Sequence, residues 1–135
     1  MLNYNSVIKN EINQESVSVK EISQVMKINL RGKRREFLTN IGKNLNMILP
    51  TEANTSTTSD KLTAIWLSPD EWMIVSNQLV SKDTNKYELH EMLFNSISKT
   101  NLGAVTDVTD QFVQLEIKGK NIYEIFSAGS PFNFN

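Results

Sequence analysis

The chain has 135 residues and a mass of 15.4 kDa, which bounds it to one compact domain or at most two very small ones and lets about two thirds of the unfolded surface be buried. Hydrophobic residues make up 39% and charged residues 21%, which excludes collagen-like, coiled-coil and wholly disordered chains. Zero cysteines and one histidine, His90, remove disulfides, thiolate zinc sites, iron–sulfur ligation and cysteine nucleophiles, leaving a poor inventory for catalysis.

The net charge is -1, so the whole-molecule field gives no reason to expect attraction to nucleic acid. The charge is unevenly placed. Residues 1–50 carry eight Lys/Arg against four Asp/Glu, and residues 51–135 carry six against eleven. No apolar run approaches the roughly 20 residues of a membrane-spanning helix. The N-terminus lacks the basic-then-apolar order of a secretory signal. No membrane partner is expected, and cytoplasm is the default compartment.

In chain order, residues 1–16 are polar with isolated hydrophobes and read as a loose lead-in; a single α+β domain is expected over 17–135. From Ile22, the alternation Ile22, Gln24, Met26, Ile28, Leu30 predicts a half-buried strand. Arg31-Gly32 ends it, with Gly32 expected for its backbone freedom. Phe37, Leu38, Ile41 and Leu45 put an apolar stripe on a helix at about 34–45. Residues 51–60 (TEANTSTTSD) hold almost nothing to bury and read as a loop. KLTAIWL, SPDE and WMIVS form the clearest hairpin, at 61–76, with Pro69 presetting φ for the turn.

Tyr87, Leu89, Met92, Leu93 and Ile97 trace a second amphipathic helix over 85–99, with Asp83 or Asn85 as its cap. AVTDVT and FVQLEIKG predict two further strands, the second with Val113, Leu115 and Ile117 on one face. Residues 120–128 read as a helix burying Ile122, Ile125 and Phe126, with Gly129 at C′. The order β-α-β-β-α-β-β-α predicts an α+β plait, helices layered on a mainly antiparallel sheet.

Five features carry chemistry. Arg31, Lys33, Arg34 and Arg35 crowd the start of a helix, where positive charge opposes the macrodipole; solvated surface charge and an acidic or phosphate partner both remain open. The cluster lacks the glycine spacing of a phosphate loop. His90 sits at the border of a helix stripe with no positioned nucleophile or orienting acid, and Asp70, Glu71, Asp107 and Asp110 are carboxylates at turns. Trp66 and Trp72 flank the hairpin turn, where tryptophan serves either as core or as an interface hot spot. Phe132 and Phe134 follow the last helix with no further element to cover them, which favours burial against a partner, or a truncated chain, over a local core role.

Several segments fall into one order. These are Asn29-Leu30-Arg31-Gly32, Leu49-Pro50 with Asn54-Thr55, Ala64 to Trp72 (AIWLSPDEW), Ala104 to Asp110 (AVTDVTD), and Ile117-Lys118-Gly119 leading to Ala128-Gly129-Ser130-Pro131. From about residue 22 onward the chain resembles the gamma subunit of heterotetrameric sarcosine oxidase, and WLSPDEW is the most specific part. The departures are Ser68 for Gly, Ala53 for Pro, Gly119-Lys120 for a Gly-Pro pair, and Ser130 to Phe134 (SPFNF) for CPLDL. Family members usually continue into a second half that completes the sheet, so a shortened version is expected.

The resemblance implies a fold similar to part of the folate-binding aminomethyltransferase fold and a non-catalytic assembly subunit. In that family the larger flavoprotein subunits carry FAD, FMN, NAD and tetrahydrofolate, and the complex demethylates sarcosine to glycine, passing the one-carbon unit to folate. A related N-methyl amino acid dehydrogenase subunit and a free-standing folate-binding or one-carbon transfer protein are the alternatives. An RNA-binding plait using the basic cluster ranks last, because the sheet lacks an evident pair of exposed aromatics. Arg31, Trp66, Pro69, Asp70, Trp72, Phe132 and Phe134 are the expected partner-facing residues; no catalytic, cofactor or metal residue is expected on this chain.

Overall fold

The structure is a computed structural model that describes residues 5–14, 16–80 and 87–133. In chain order its elements are β1 (Ile12–Asn13), β2 (Val17–Ile22), β3 (Val25–Arg31), α1 (Arg35–Leu45), β4 (Ser56–Thr58) and β5 (Leu62–Ser68). There follow β6 (Glu71–Leu79), α2 (Glu88–Ser98), β7 (Ala104–Asp107), β8 (Gln114–Gly119) and α3 (Ile122–Gly129). The fold is α+β, with antiparallel sheets throughout. In place of the single domain expected over 17–135, the chain forms two compact units, one of residues 24–112 and one joining 1–23 to 113–135.

The larger unit is a split βαβ plait. Its sheet runs β4-β5-β6-β3-β7, so the second hairpin strand, β6, lies between β5 and β3, and α1 and α2 make the two crossovers. The apolar stripe of α1 buries Phe37, Ile41 and Leu45, and that of α2 buries Leu93 and Ile97. They pack on Ile28, Leu30, Ala64, Trp72, Ile74 and Val105 of the sheet. Asn46 ends α1 in the left-handed conformation, φ 50°, and the N–H of Met47 donates to the Gly42 carbonyl at 3.1 Å. The expected caps Asp83 and Asn85 lie outside the described residues; α2 starts from Tyr87 without a side-chain cap.

Three local expectations change. The ladder of β3 with β6 is irregular between Val25 and Lys27, which breaks the strict period of two: Val25 and Lys27 are buried beside Ile28 and Leu30, while Met26 is half-buried. Within the expected loop 51–60, Ser56–Thr58 pairs with β5; an edge strand needs only backbone partners, so its polar residues gave no apolar signal. Gly32 does not take a positive φ. A Cβ there would lie 2.5 Å from the Phe37 ring, and one on Gly103 2.2 Å from the Arg31 carbonyl and 2.7 Å from the same ring, so both glycines make room for Phe37.

The smaller unit is the three-stranded sheet β1-β2-β8 with α3. FVQLEIKG therefore pairs with Val17–Ile22, a strand that the alternation from Ile22 onward did not mark, and β1 forms within the expected lead-in. None of its described residues is fully buried. Ile122 and Phe126 are half-covered and Ile125 is 50% exposed, against the expectation that all three are buried. Three short strands and one eight-residue helix are too little structure to enclose a side chain.

Candidate partner interface at the hairpin tip

The turn between β5 and β6 is built by Ser68, Pro69 and Asp70. The Ser68 hydroxyl donates to Asp70 Oδ1 at 2.8 Å. That hydrogen bond, followed by the nearby Lys33 ammonium at 3.7 Å, holds the Asp70 carboxyl below the ordinary carboxylate range. The Gly32 N–H donates to the Asp70 carbonyl at 3.0 Å, tying the end of β3 to the turn. Register places Arg31 opposite Glu71, and Arg31 Nη2 reaches Glu71 Oε2 at 3.0 Å while Asn29 Nδ2 donates to Glu71 Oε1 at 2.8 Å. The tip is thus a lattice of alternating charge, Arg31–Glu71 and Lys33–Asp70, around an exposed Pro69 and Leu67.

Beneath it sits Trp72, 1% exposed. Its Nε1–H donates to the Pro50 carbonyl at 2.7 Å, and its ring lies 6.3 Å from that of Phe37. Trp72, placed above among the partner-facing residues, therefore offers no surface: it is the internal support of the turn. Trp66 stands opposite Trp72 in the register and is half-buried at the core edge. The structure thus brings Arg31, at the end of β3, beside Trp66, Pro69 and Asp70 at the tip of the β5–β6 hairpin. Phe132 belongs to the smaller unit, 49% exposed, and Phe134 lies outside the described residues. Sequence reasoning passed over Leu67, 43% exposed, and Ile65, 37% exposed, whose signal was their alternation with Ala64 and Trp66.

The remaining candidates are structural. His90 stacks on Phe94 at 5.7 Å between ring centroids, Asp107 Oδ1 accepts the Thr109 N–H at 3.0 Å, and Asp110 accepts from Gln24. On the face of β3 and β6 away from the helices stand Asn29, Met73 and Val75. These positions hold no aromatic ring for base stacking.

The Glu71 carboxyl is also held low, first by the hydrogen bond from Arg31 and then by that from Asn29. A depressed folded value means that these contacts contribute fully above the unfolded value of about 4.3 and are lost as the pH falls through the folded one. A carbon-detected NMR titration should show Glu71 protonating below that reference, and Arg31→Gln should move its midpoint upward; an unmoved midpoint would show that the Arg31–Glu71 pair is not formed in solution.

No family model and no curated protein matches the chain. Among solved structures, a chain of "Heterotetrameric Sarcosine Oxidase from Corynebacterium sp. U-96 in complex with pyrrole 2-carboxylate" aligns with a TM-score of 0.76 at 16% identity, covering 93% of this chain. The match takes in 62% of that oxidase chain. The protein therefore shares its α+β fold with a chain of a heterotetrameric sarcosine oxidase.

Proposed function

We propose that this chain is a non-catalytic, gamma-like subunit that holds together a flavin-dependent complex of the sarcosine oxidase type. The observation that carries the reading is the fold match along 93% of the chain to a component of a heterotetramer. The ordered segments from Leu30-Arg31-Gly32 to Ala128-Gly129-Ser130-Pro131 support it. In this reading the complex demethylates sarcosine to glycine and passes the one-carbon unit to tetrahydrofolate, and FAD, FMN, NAD and folate reside on the larger flavoprotein subunits. Assembly takes place in the cytoplasm; among the described residues no helix is long and apolar enough to cross a membrane.

The hairpin tip is the proposed contact. It combines apolar area at Leu67, Pro69 and Trp66 with a rim of fixed charges at Arg31 and Asp70, the composition of an interface centre and its border. Co-expression with the flavoprotein subunits and size-exclusion chromatography test the reading. The chain should elute with them, and Leu67→Glu with Asp70→Lys should cut the recovered complex at least tenfold. A chain that never co-elutes would overturn the subunit assignment, and a double variant that assembles normally would move the contact away from the tip.

A further inference from the structure

Five cations lie along the end of β3 and α1, and they divide into two groups. Arg31 and Lys33 are answered by Glu71 and Asp70. Arg34, Arg35 and Lys43 are exposed, and no carboxylate among the described residues pairs with them. All three open into a cleft of about 730 Å³ between α1 and the end of α2, where Glu36 is the single acid among the described residues of the lining. Two of them also sit at the start of α1, where the helix dipole is already positive and no side chain caps the free N–H groups. Glu36 in the first turn offsets part of that positive field, and the remaining excess favours negative charge from outside.

The floor of the cleft is polar and fixed. Asn44 Nδ2 donates to Asn40 Oδ1 at 2.9 Å and to Ser96 Oγ at 3.0 Å, and the Ser96 hydroxyl donates to Asn40 Oδ1. This network joins α1 to α2, so the cations project from a surface that does not need to be assembled on binding. Their spacing selects the ligand. At 1.5 Å per residue, Arg35 and Lys43 lie about 12 Å apart along the axis. A lone phosphate or sulfate meets one end of such a row. An extended peptide advances about 3.3 Å per residue, so carboxylates three or four residues apart span it.

We propose that the cleft between α1 and α2 binds an extended acidic peptide segment of a partner subunit, with Arg34 and Arg35 holding one carboxylate and Lys43 the next. The identity of the partner rests on the subunit reading above; the site itself does not.

The test is titration of the isolated full chain with fluorescein-labelled decaglutamate, followed by anisotropy and by amide chemical shifts. Binding should saturate, shift residues 34–44 and 96–102, and weaken steeply with salt. R34Q/R35Q/K43Q should weaken it at least tenfold and Lys43→Gln alone at least twofold, while K118Q/K120Q leaves it unchanged. Absence of saturable binding, or equal weakening by K118Q/K120Q, would overturn the proposal. Inorganic phosphate that displaces the peptide and reproduces its shifts would assign a phosphate site instead. Self-association of the chain that R34Q/R35Q/K43Q abolishes would assign the cleft to a second copy; either result rejects the acidic-segment assignment. Peptide binding without co-elution with flavoproteins would remove the oxidase reading and leave the site standing, whereas co-elution without peptide binding would remove the site alone.

Discussion

Trp72→Ala will destabilise the larger unit by about 3–5 kcal/mol, the usual cost of emptying a buried aromatic position. Trp72 is among the largest side chains that are completely enclosed, and its removal takes away the packing against Phe37 and the support under the turn. It also strands the Pro50 carbonyl, whose bond from Nε1 is 2.7 Å long. A unit of this size has on the order of 5–15 kcal/mol in total, so its melting temperature should fall by roughly 20 °C. Trp72→Phe separates the two contributions: it keeps most of the ring and loses the donor, at a cost of about 1–3 kcal/mol. Calorimetric melting of both variants measures this. A melt of Trp72→Ala within a degree or two of the parent would mean that the ring is not enclosed.

Gly103→Ala is the second large effect. Its Cβ would lie 2.2 Å from the Arg31 carbonyl oxygen and under 3 Å from the Phe37 ring. The first obstacle is backbone in a central strand and the second is a fully buried ring, so neither can swing aside. Overpacking of this kind costs about 1–3 kcal/mol or more. At Gly129 an added Cβ meets nothing within 4 Å, and Gly129→Ala should be neutral or stabilising by up to about 1 kcal/mol. Urea denaturation of the pair checks this, and equal midpoints for the two variants would contradict the packing described around Phe37.

The parts of the fold that were legible in the sequence are those determined locally. The stripe Phe37, Leu38, Ile41, Leu45 marks α1 to within a residue at its start, and the Ser68-Pro69-Asp70 turn marks the hairpin. Partner choice was not legible. The alternation in FVQLEIKG shows which side chains share a face and says nothing about which strand lies alongside, so its pairing with Val17–Ile22, about a hundred residues away, was invisible. The alternation from Ile22 to Leu30 runs from the end of β2 into β3, so it did not mark the break between the two strands at Ser23-Gln24. At the tip, Arg31, Pro69 and Asp70 could be read from turn chemistry. Trp72 could not be sorted from Trp66, because both flank the same turn and only the tertiary fold decides which one faces Pro50. The role of Gly32 and Gly103 was hidden for the same reason, since the ring they accommodate comes from α1.

The antiparallel ladder between Val17–Ile22 and Gln114–Gly119 has a consequence for biosynthesis. A ribosome completes every residue of the larger unit before it makes the partner of the early strand. At 5–20 residues per second that strand waits on the order of 5–20 s with the edge opposite β1 unpaired. The plait meanwhile has its full set of strands and can fold first. Closure of the smaller sheet is therefore a late event in the birth of the molecule, and the waiting strand is the segment most in need of a chaperone.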